Sequence, residues 1–494
     1  MAKKAVDKWQ YGDFQTPQLL AEKVINVLKY NHNIDPDIII EPSCGKGAFI
    51  FAANKIFANV RIYGFDINPS YIKICNSWSN SNINSNILTV QEEDFFNYNW
   101  DKFFTSFESE NILILGNPPW VTSSELGILN SKNIPKKSNF QNRRGIEAIT
   151  GSGNFDISEW MILKYIQWLH GKQGTIAVLC KYSVARKIMK QIRQDKDIFF
   201  AGYIYSIDAK VHFNASVEAC LFILITEVKN SDYKVYNSIE HTIASNIIGE
   251  RDGSIIRNVE NYEKLQYLKG ENTKYIWRSG LKHDASKTME LTPYLNGYKN
   301  GFDEFYRLED EFIYPLLKSS DVANGRISSY RKVVIVTQKF VGEDTSKIKN
   351  EAPKTWGYLI EHEDLLNKRK SSIYKNKPNF SIFGIGDYTF KPWKIAISAL
   401  YKKLAFYVIS PINNKPIIFD DTINFLSFDT EEEAKFIYSL LISEPALTFL
   451  DSMIFWDEKR PITTKILRKL SLREVATELK VLNQYLIFED RESK

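Results

Sequence analysis

Cysteine and histidine are scarce in this chain: its 494 residues include 4 cysteines and 6 histidines. The cysteines are far apart in the sequence and lack the paired spacing of a disulfide framework or a zinc site; they are Cys44, Cys75, Cys180 and Cys220. The histidines are scattered and form no ligand cluster. We therefore predict reduced, buried thiols and no bound metal.

Long apolar runs are also absent. Residues 175–180 and 220–225 form apolar runs of strand length only, so no segment predicts a membrane span. The N-terminal residues 1–10 are polar and contain lysine, with no apolar stretch behind them, which argues against a secretion signal. The sequence accordingly predicts a cytoplasmic protein without a membrane partner.

The excess of positive charge is confined to one segment. The whole chain has a formal net charge of +5. Residues 321–403 contain 16 Lys or Arg and 8 Asp or Glu, a balance of +8, so the remainder sums to −3. A local basic surface suits a polyanion, although a solvated lysine-rich face without function would give the same count. The segment is a candidate surface for nucleic acid.

Four apolar segments each end in a polar or glycine-bearing loop. Residues 38–40 precede Glu41-Pro42-Ser43-Cys44-Gly45-Lys46-Gly47, residues 61–65 precede Asp66-Ile67, residues 87–90 lead toward Asp94-Phe95, and residues 112–116 precede Asn117-Pro118-Pro119-Trp120. Segments with helical periodicity alternate with them, which predicts a parallel, doubly wound α/β sheet. In such sheets ligands bind beyond the carboxyl ends of the strands.

The spacing of these loops indicates a nucleoside site. Asp66 follows the glycines by about 20 residues, where a nucleoside-binding domain places an acid for ribose hydroxyls. Asp94 is a candidate acceptor for an adenine amino group and Phe95 a candidate packing surface, or else they are a loop acid and a core residue. Upstream, Thr16 is predicted to cap a helix that begins at Pro17, whose amino end can hold a carboxylate.

The stretch Asn117-Pro118-Pro119-Trp120 suggests chemistry on an amino group attached to a planar ring. The lone pair of such an amine is delocalised, and hydrogen-bond acceptors on Asn117 and Pro118 could draw it toward tetrahedral geometry. The prolines stiffen the loop without adding N–H donors, and Trp120 offers a flat face for the ring. An ordinary surface turn with a tryptophan in the core is the alternative.

In these motifs and their order, the chain resembles the gamma-class adenine-N6 DNA methyltransferases of type II restriction-modification systems. Residues 11–17 resemble the N-terminal cofactor motif of that family, residues 41–47 its glycine-rich motif and residues 117–120 its catalytic tetrapeptide. Glu41 and Lys46 depart from many relatives. The resemblance implies a Rossmann-like class I methyltransferase domain in residues 1–240, dependent on S-adenosylmethionine. It also implies an α+β domain for DNA target recognition in residues 241–494.

The resemblance also implies site residues. The catalytic set is Asn117, Pro118, Trp120 and, as a second aromatic for the target base, Phe213. The cofactor set is Thr16, Pro17, Glu41, Pro42, Ser43, Cys44, Gly45, Gly47, Asp66, Ile67, Asp94, Phe95, Asn117 and Pro119. The candidate DNA contacts are Lys136, Lys137, Arg143 and Arg144, from a polar insertion at residues 121–154, and Lys339, Lys391, Lys394, Lys459 and Arg460. The expected partners are double-stranded DNA and a separate restriction endonuclease, and the expected state is a monomer.

Other functions remain open from the sequence alone. Cytosine-N4 methylation uses the same logic, and Asn117 in place of Ser or Thr favours adenine by resemblance only. Methylation of RNA or of a protein amide is disfavoured by the basic, aromatic C-terminal half. A non-catalytic DNA-binding module is disfavoured because Asp66, Asn117 and Trp120 are all present.

Overall fold

The computed structural model describes residues 14–81, 86–107, 109–122, 156–194, 200–227, 229 and 231–490. The chain divides into two compact units, Met1–Val259 and Glu260–Lys494. The boundary predicted at residue 240 falls inside the first unit, because the polar stretch that follows it forms two further strands. Among the helices in the described ranges, none is both long and apolar enough to cross a membrane.

A ten-stranded sheet forms the centre of the first unit. Its strands are β1 (Ile38–Glu41), β2 (Arg61–Asp66), β3 (Ile87–Glu92), β4 (Ile112–Gly116), β5 (Gly174–Lys181), β6 (Phe200–Ile207), β7 (Ala219–Thr226), β8 (Tyr233–Tyr236), β9 (Asn246–Arg251) and β10 (Ser254–Ile256). Their order is β10-β9-β8-β6-β7-β5-β4-β1-β2-β3. The strands β1 to β5 pair in parallel, as predicted, whereas β7 runs antiparallel to both β5 and β6.

The chain direction across the sheet reverses at β1. From β1 the chain proceeds to β2 and β3 on one side, and β4 then pairs with β1 on its other side. Both strands at this reversal are fully buried and are apolar except for Glu41 at the end of β1, which is typical of a parallel sheet covered on both faces. Such a reversal leaves a crevice beyond the strand ends, where ligands bind.

Seven helices of the first unit lie within the described ranges. They are α1 (Gln18–Asn26), which continues as a π-helical turn over Val27–Asn31, α2 (Ala48–Ile56), α3 (Pro69–Ser81), α4 (Trp100–Phe104), α5 (Ile157–Trp168), α6 (Tyr182–Gln194) and α7 (Ala209–Phe213). The prediction that Thr16 caps a helix starting at Pro17 is wrong. Pro17 has an extended ψ of 137° and is itself the N-cap, so the helix begins one residue later and no side chain caps it. The four cysteines are buried, as predicted, and unbridged.

The second unit contains two smaller sheets. One has the order β11-β20-β17-β18 and the other β14-β13-β12-β16-β15-β19. The strands are β11 (Arg278–Ser279), β12 (Glu290–Tyr294), β13 (Gly297–Lys299), β14 (Phe305–Tyr306), β15 (Ile313–Leu317), β16 (Lys332–Ile335), β17 (Trp393–Ser398), β18 (Tyr407–Ile409), β19 (Ile418–Phe419) and β20 (Ile423–Phe428). All pairs are antiparallel except β15 with β19.

Short helices complete the second unit. They are α8 (Val259–Leu265), α9 (Ser286–Met289), α10 (Ser319–Ala323), α11 (Ile348–Glu351), α12 (Pro353–Glu361), α13 (Glu363–Asn367), α14 (Asp387–Phe390), α15 (Glu431–Leu441), α16 (Glu444–Met453), α17 (Thr464–Leu467), α18 (Leu472–Glu478) and α19 (Leu482–Asp490). The mixture of antiparallel strands and separate helices agrees with the predicted α+β class.

Candidate active site

A cavity of about 430 Å³ lies beyond the carboxyl ends of β1, β2 and β4 in the first unit. Most of the predicted cofactor residues line it, namely Thr16, Glu41, Pro42, Ser43, Cys44, Gly45, Asp66, Ile67, Phe95, Asn117 and Pro119. Three predicted residues, Pro17, Gly47 and Asp94, are not part of the lining. The volume is within the range of small-molecule sites, which begins at about 300 Å³.

Asp66 connects the loop after β1 to the loop after β2. One carboxylate oxygen accepts a hydrogen bond from the backbone N–H of Gly45 at 2.8 Å, and the other accepts from the N–H of Asn68 at 2.9 Å. Gly45 has a φ of +51°, and a Cβ there would lie 2.7 Å from Oε1 of Gln15. A side chain here would strain the backbone and push the Gln15 amide away from the loop, which favours glycine.

Gln15 is a cavity residue that the sequence analysis missed. Its Oε1 accepts a hydrogen bond from the backbone N–H of Lys46 at 2.9 Å and so holds the glycine-rich loop from the opposite side. Lys46 itself is exposed, and its Nζ lies 5.7 Å from the ring centroid of Tyr71. The Lys46 side chain is not part of the cavity lining. The lysine at this position, which departs from the family pattern, therefore does not occupy the cavity.

Glu41 is a buried carboxyl group in the cavity wall. Only 3% of its surface is exposed, and its Oε2 has no hydrogen-bond partner. Burial raises the pKa of Glu41 well above its ordinary value, and the neighbouring Cys75 and Asp66 add to that rise. A cationic group in the cavity would supply the missing partner and favour the ionised carboxylate.

Asn117 presents an unsatisfied acceptor to the same cavity. Its Nδ2 donates to the backbone carbonyl of Phe14 at 2.8 Å, and its Oδ1 is buried without a hydrogen-bond partner. The Phe14 carbonyl fixes the orientation of the amide, because a carbonyl can only accept and therefore selects the NH₂ end. Asp66 and Asn117 thus line a single cavity.

Trp120 is buried rather than open to a ligand. It is 5% exposed, does not line the cavity, and donates its indole N–H to the carbonyl of Leu179 at 3.2 Å. Its ring centroid lies 5.8 Å from that of Phe14 and 5.0 Å from that of Phe213. The predicted open stacking face is therefore covered, because the apolar rings of Phe14 and Phe213 pack against Trp120.

Asp94 stabilises a turn instead of lining the cavity. Its carboxylate accepts from the backbone N–H of Phe96 at 2.9 Å and from Nδ2 of Asn97 at 2.6 Å. This local bonding turns the Asp94 carboxylate back onto its own chain, and its neighbour Glu93 reaches the cavity instead. Phe95 does line the cavity, and it also packs on Trp100 in the core.

The predicted DNA contacts differ in their surroundings. Lys136, Lys137, Arg143 and Arg144 lie outside the described residues. Lys339, Lys459 and Arg460 are exposed, and Arg460 pairs with Asp421 at 3.2 Å. Lys391 is partly exposed and pairs with Asp429 at 2.9 Å.

Lys394 is buried, and its prediction as a DNA contact is wrong. Only 1% of its surface is exposed, and its ammonium group donates to the carbonyls of Lys391 at 3.0 Å and Ile417 at 2.8 Å. Burial lowers the pKa of Lys394 to about 7. The side chain is directed into the protein because strand β17 is buried on both faces beyond Trp393.

Comparison with solved structures defines the class of fold. The chain aligns with the type IIL restriction-modification enzyme MmeI with a TM-score of 0.51 at 11% sequence identity. The alignment covers 91% of this chain and 64% of the MmeI chain. The fold of the first unit, with its cavity at the strand reversal, is that of a Rossmann-like methyltransferase.

Sequence comparison then gives the family. The chain is 43% identical over 472 residues to the type II methyltransferase M.NspV of Nostoc sp. (strain ATCC 29411 / PCC 7524), covering 95% of this chain and 98% of that protein. It is 32% identical over 111 residues, 22% of this chain and 25% of the relative, to the type II methyltransferase M.CvrRI of Paramecium bursaria Chlorella virus XZ-6E. No family profile matches. The chain belongs to the type II methyltransferases.

Proposed function

We propose that this protein is a site-specific DNA methyltransferase that transfers a methyl group from S-adenosylmethionine to the N6 amine of adenine. The observation that carries the proposal is the buried, unpartnered Oδ1 of Asn117 in a cavity also lined by Asp66. An exocyclic amine has N–H donors and a delocalised lone pair, so it matches a fixed acceptor at this position. The relationship to M.NspV supports methyl transfer as the reaction.

The residues of the cavity fit S-adenosylmethionine. Asp66 has acceptor capacity for ribose hydroxyls beyond the two backbone N–H groups it already binds. The unpartnered Oε2 of Glu41 suits the ammonium group of the cofactor. Phe95 offers an aromatic wall for the adenine ring. When bound, the cofactor would supply a methyl group on a sulfonium, whose sulfur keeps the electron pair of the broken S–C bond while the amine lone pair forms the new N–C bond.

The contribution of Asn117 is to polarise and aim the target amine. Its Oδ1 accepts one amine hydrogen, which localises the lone pair on nitrogen, and the carbonyl of Pro118 is a second candidate acceptor. The amide of Asn117 is not a base at neutral pH, so the surplus proton on the methylated nitrogen leaves to water. Fixed dipoles of this kind stabilise a transition state without reorganising during the reaction.

Access to the amine requires that the base leave the duplex. Rotating a base out of the stack costs a few kcal/mol, and stacking on an aromatic ring offsets roughly 1 to 3 kcal/mol. We assign that stacking to Trp120 and Phe213. Because the rings of Phe14 and Phe213 both pack against Trp120, this packing must open when the base enters.

The test of this function is identification of the modified base. Duplex DNA is incubated with the protein and S-adenosylmethionine carrying a deuterated methyl group, and the nucleosides are analysed by mass spectrometry. The expected product is labelled N6-methyladenine, and sequencing of the modified DNA then gives the site. Labelled N4-methylcytosine, or label in RNA or peptide but not in DNA, would contradict the assignment.

We further propose that the protein acts as a monomer beside a separate restriction endonuclease. In that role the modified site should resist the cognate nuclease. Genomic DNA from cells that express the protein should therefore be cut at fewer sites by a nuclease of the same specificity than DNA from cells that express the Asn117→Ala variant.

A further inference from the structure

A second concave surface lies wholly within the second unit. It is an open groove of about 490 Å³, which we call the lysine groove, and its chief lining residues are Lys287, Phe302, Leu365, Lys368 and Lys370. One wall follows α9 and the other follows the end of α13. The groove belongs to no site described above.

The groove carries positive charge that the protein leaves uncompensated. Lys287, Lys368 and Lys370 are exposed, and none of the three forms an ion pair within the described ranges. One acid, Asp284, lies in the lining, and it is 3.6 Å from the ammonium group of Lys282. Three unpaired ammonium groups around one concavity attract anions more strongly than the same lysines dispersed over a convex surface.

The wall that carries two of these lysines is held firmly in place by Arg369. The Arg369 guanidinium donates to the carbonyls of Leu366 at 2.7 Å, Ser381 at 2.7 Å and His283 at 3.3 Å. It also stacks on Tyr374, with 3.7 Å from the guanidinium carbon to the ring centroid. Arg369 is thus a structural residue, and it fixes the backbone that presents Lys368 and Lys370 to solvent.

The opposite wall combines a charge with an apolar surface. The Nζ of Lys287 lies 5.4 Å from the ring centroid of Phe302, which is 40% exposed. The ring of Phe302 is in turn stacked on His362, with centroids 6.1 Å apart. This wall can pack against sugar rings while the ammonium group reaches a phosphate.

We propose that the lysine groove binds the phosphate backbone of the DNA substrate. This inference rests on the proposed function, which requires a duplex to be held while one base is extruded. Lysine is a compact point charge that contacts phosphates without the paired geometry that guanidinium offers to a guanine edge. The groove therefore positions DNA and does not choose its sequence.

The test is the salt dependence of DNA binding by the full-length protein in which Lys287, Lys368 and Lys370 are all replaced by alanine. Binding to labelled duplexes with and without the methylation site is measured by fluorescence anisotropy between 50 and 200 mM salt. Each lost phosphate contact should reduce the slope of log K against log salt by about 0.9, so the triple variant should lose up to about 2.7. Affinity for both duplexes should fall by the same factor, at least about tenfold at low salt.

Lys264→Ala is the control, because Lys264 is an exposed lysine of the second unit that lies outside both the groove and the basic segment 321–403. It should keep the wild-type slope. Replacing the three groove lysines by arginine should also keep most of the slope, which excludes misfolding as the cause of the loss in the alanine variant. Affinity for S-adenosylmethionine should be the same in all variants.

Two results would overturn the groove assignment while leaving the proposed function intact. One is a triple alanine variant that binds DNA with the wild-type slope. The other is a variant that binds DNA normally but has lost affinity for polyglutamate, which would indicate an acidic protein as the partner. A wild-type protein that neither binds nor methylates duplex DNA would instead contradict the proposed function itself.

Discussion

The cavity of the first unit and the lysine groove of the second unit are built on opposite principles. The cavity presents polar side chains whose orientation is fixed by hydrogen bonds, as Asn117 is by the Phe14 carbonyl and Asp66 by two backbone N–H groups. The groove presents like charges on three exposed lysines that form no ion pair with any described residue. Bond-making chemistry needs fixed dipoles in a site shielded from water, whereas association with a polymer needs only net charge at its surface. Mutations in the two regions should therefore fail in different ways.

The largest effect is expected from Asn117→Ala. Removing the acceptor that polarises the amine should lower the rate of methyl transfer by at least about 100-fold. Affinity for the cofactor and the salt dependence of DNA binding should be nearly unchanged. Single-turnover methylation and equilibrium titration measure these quantities separately.

Asn68→Ala is the matched control for that variant, since it also removes an amide from the cavity lining. The Oδ1 of Asn68 already accepts from the N–H of Ser70 at 3.0 Å. This variant should retain methyl transfer once the cofactor is saturating. If Asn117→Ala methylates DNA at the rate of Asn68→Ala, the role assigned to Asn117 is wrong.

The next largest effect is expected from Asp66→Ala. The loss of hydrogen bonds to a charged group should weaken cofactor binding by roughly 10- to 100-fold. Asp94→Ala is the comparison, because Asp94 occupies a turn and does not line the cavity. Calorimetric titration with S-adenosylmethionine should show near wild-type affinity for Asp94→Ala. Equal losses in both variants would return Asp94 to the cofactor site.

Glu41→Gln should change the pH dependence of cofactor binding. Burial raises the pKa of Glu41 in the free protein, and a bound ammonium group favours the ionised form, so binding releases a proton. The affinity of the wild-type protein should consequently rise with pH until Glu41 is ionised before binding. Glutamine cannot ionise, so the variant should lose this contribution and bind about tenfold more weakly at high pH. Identical pH profiles for the two proteins would exclude an ionised Glu41 in the complex.

Lys394→Met is expected to have the smallest effect on activity. This substitution should instead change the stability of the protein. The pKa of Lys394 is about 7 in the folded protein against an ordinary value of 10.5. Between these pH values the unfolded chain holds a proton that the folded chain lacks, so the wild-type free energy of unfolding should rise with pH across that window. Urea denaturation at a series of pH values should show a flatter curve for Lys394→Met.

Lys391→Met serves as the control for Lys394→Met. Lys391 is a partly exposed neighbour that pairs with Asp429, so its substitution should leave the wild-type pH dependence in place. A Lys394→Met variant with the wild-type pH dependence would show that the buried lysine does not control it.

The sequence predicted the cavity better than its aromatic surroundings. The parallel strands and the loops that follow them depend on local pattern, and the parallel pairing is found as expected. The burial of Trp120 depends on Phe14, which lies in a segment 103 residues from Asn117. No sequence pattern near residue 120 indicates the contact between Trp120 and Phe14.

Lys394 and the domain boundary show the same limit. A lysine in a basic segment predicts a solvent-exposed charge, but the carbonyl of Ile417, 23 residues away, receives its ammonium group inside the protein. The polar stretch from residue 229 to about residue 261 predicts a connection between domains, yet β8, β9 and β10 lie within it and extend the edge of the first sheet by backbone hydrogen bonds. Backbone pairing at a sheet edge requires little apolar side-chain surface, which is why composition missed it.

The hydrogen bond between Asn117 and the carbonyl of Phe14 has a consequence for the chemical polarity of the pocket. A half-turn of that amide would exchange its oxygen for its NH₂ group and point a donor at an amine that is itself a donor. The pocket would then repel the amine that we propose it binds. A main-chain oxygen ahead of the first described helix thus decides which end of the Asn117 amide faces the cavity.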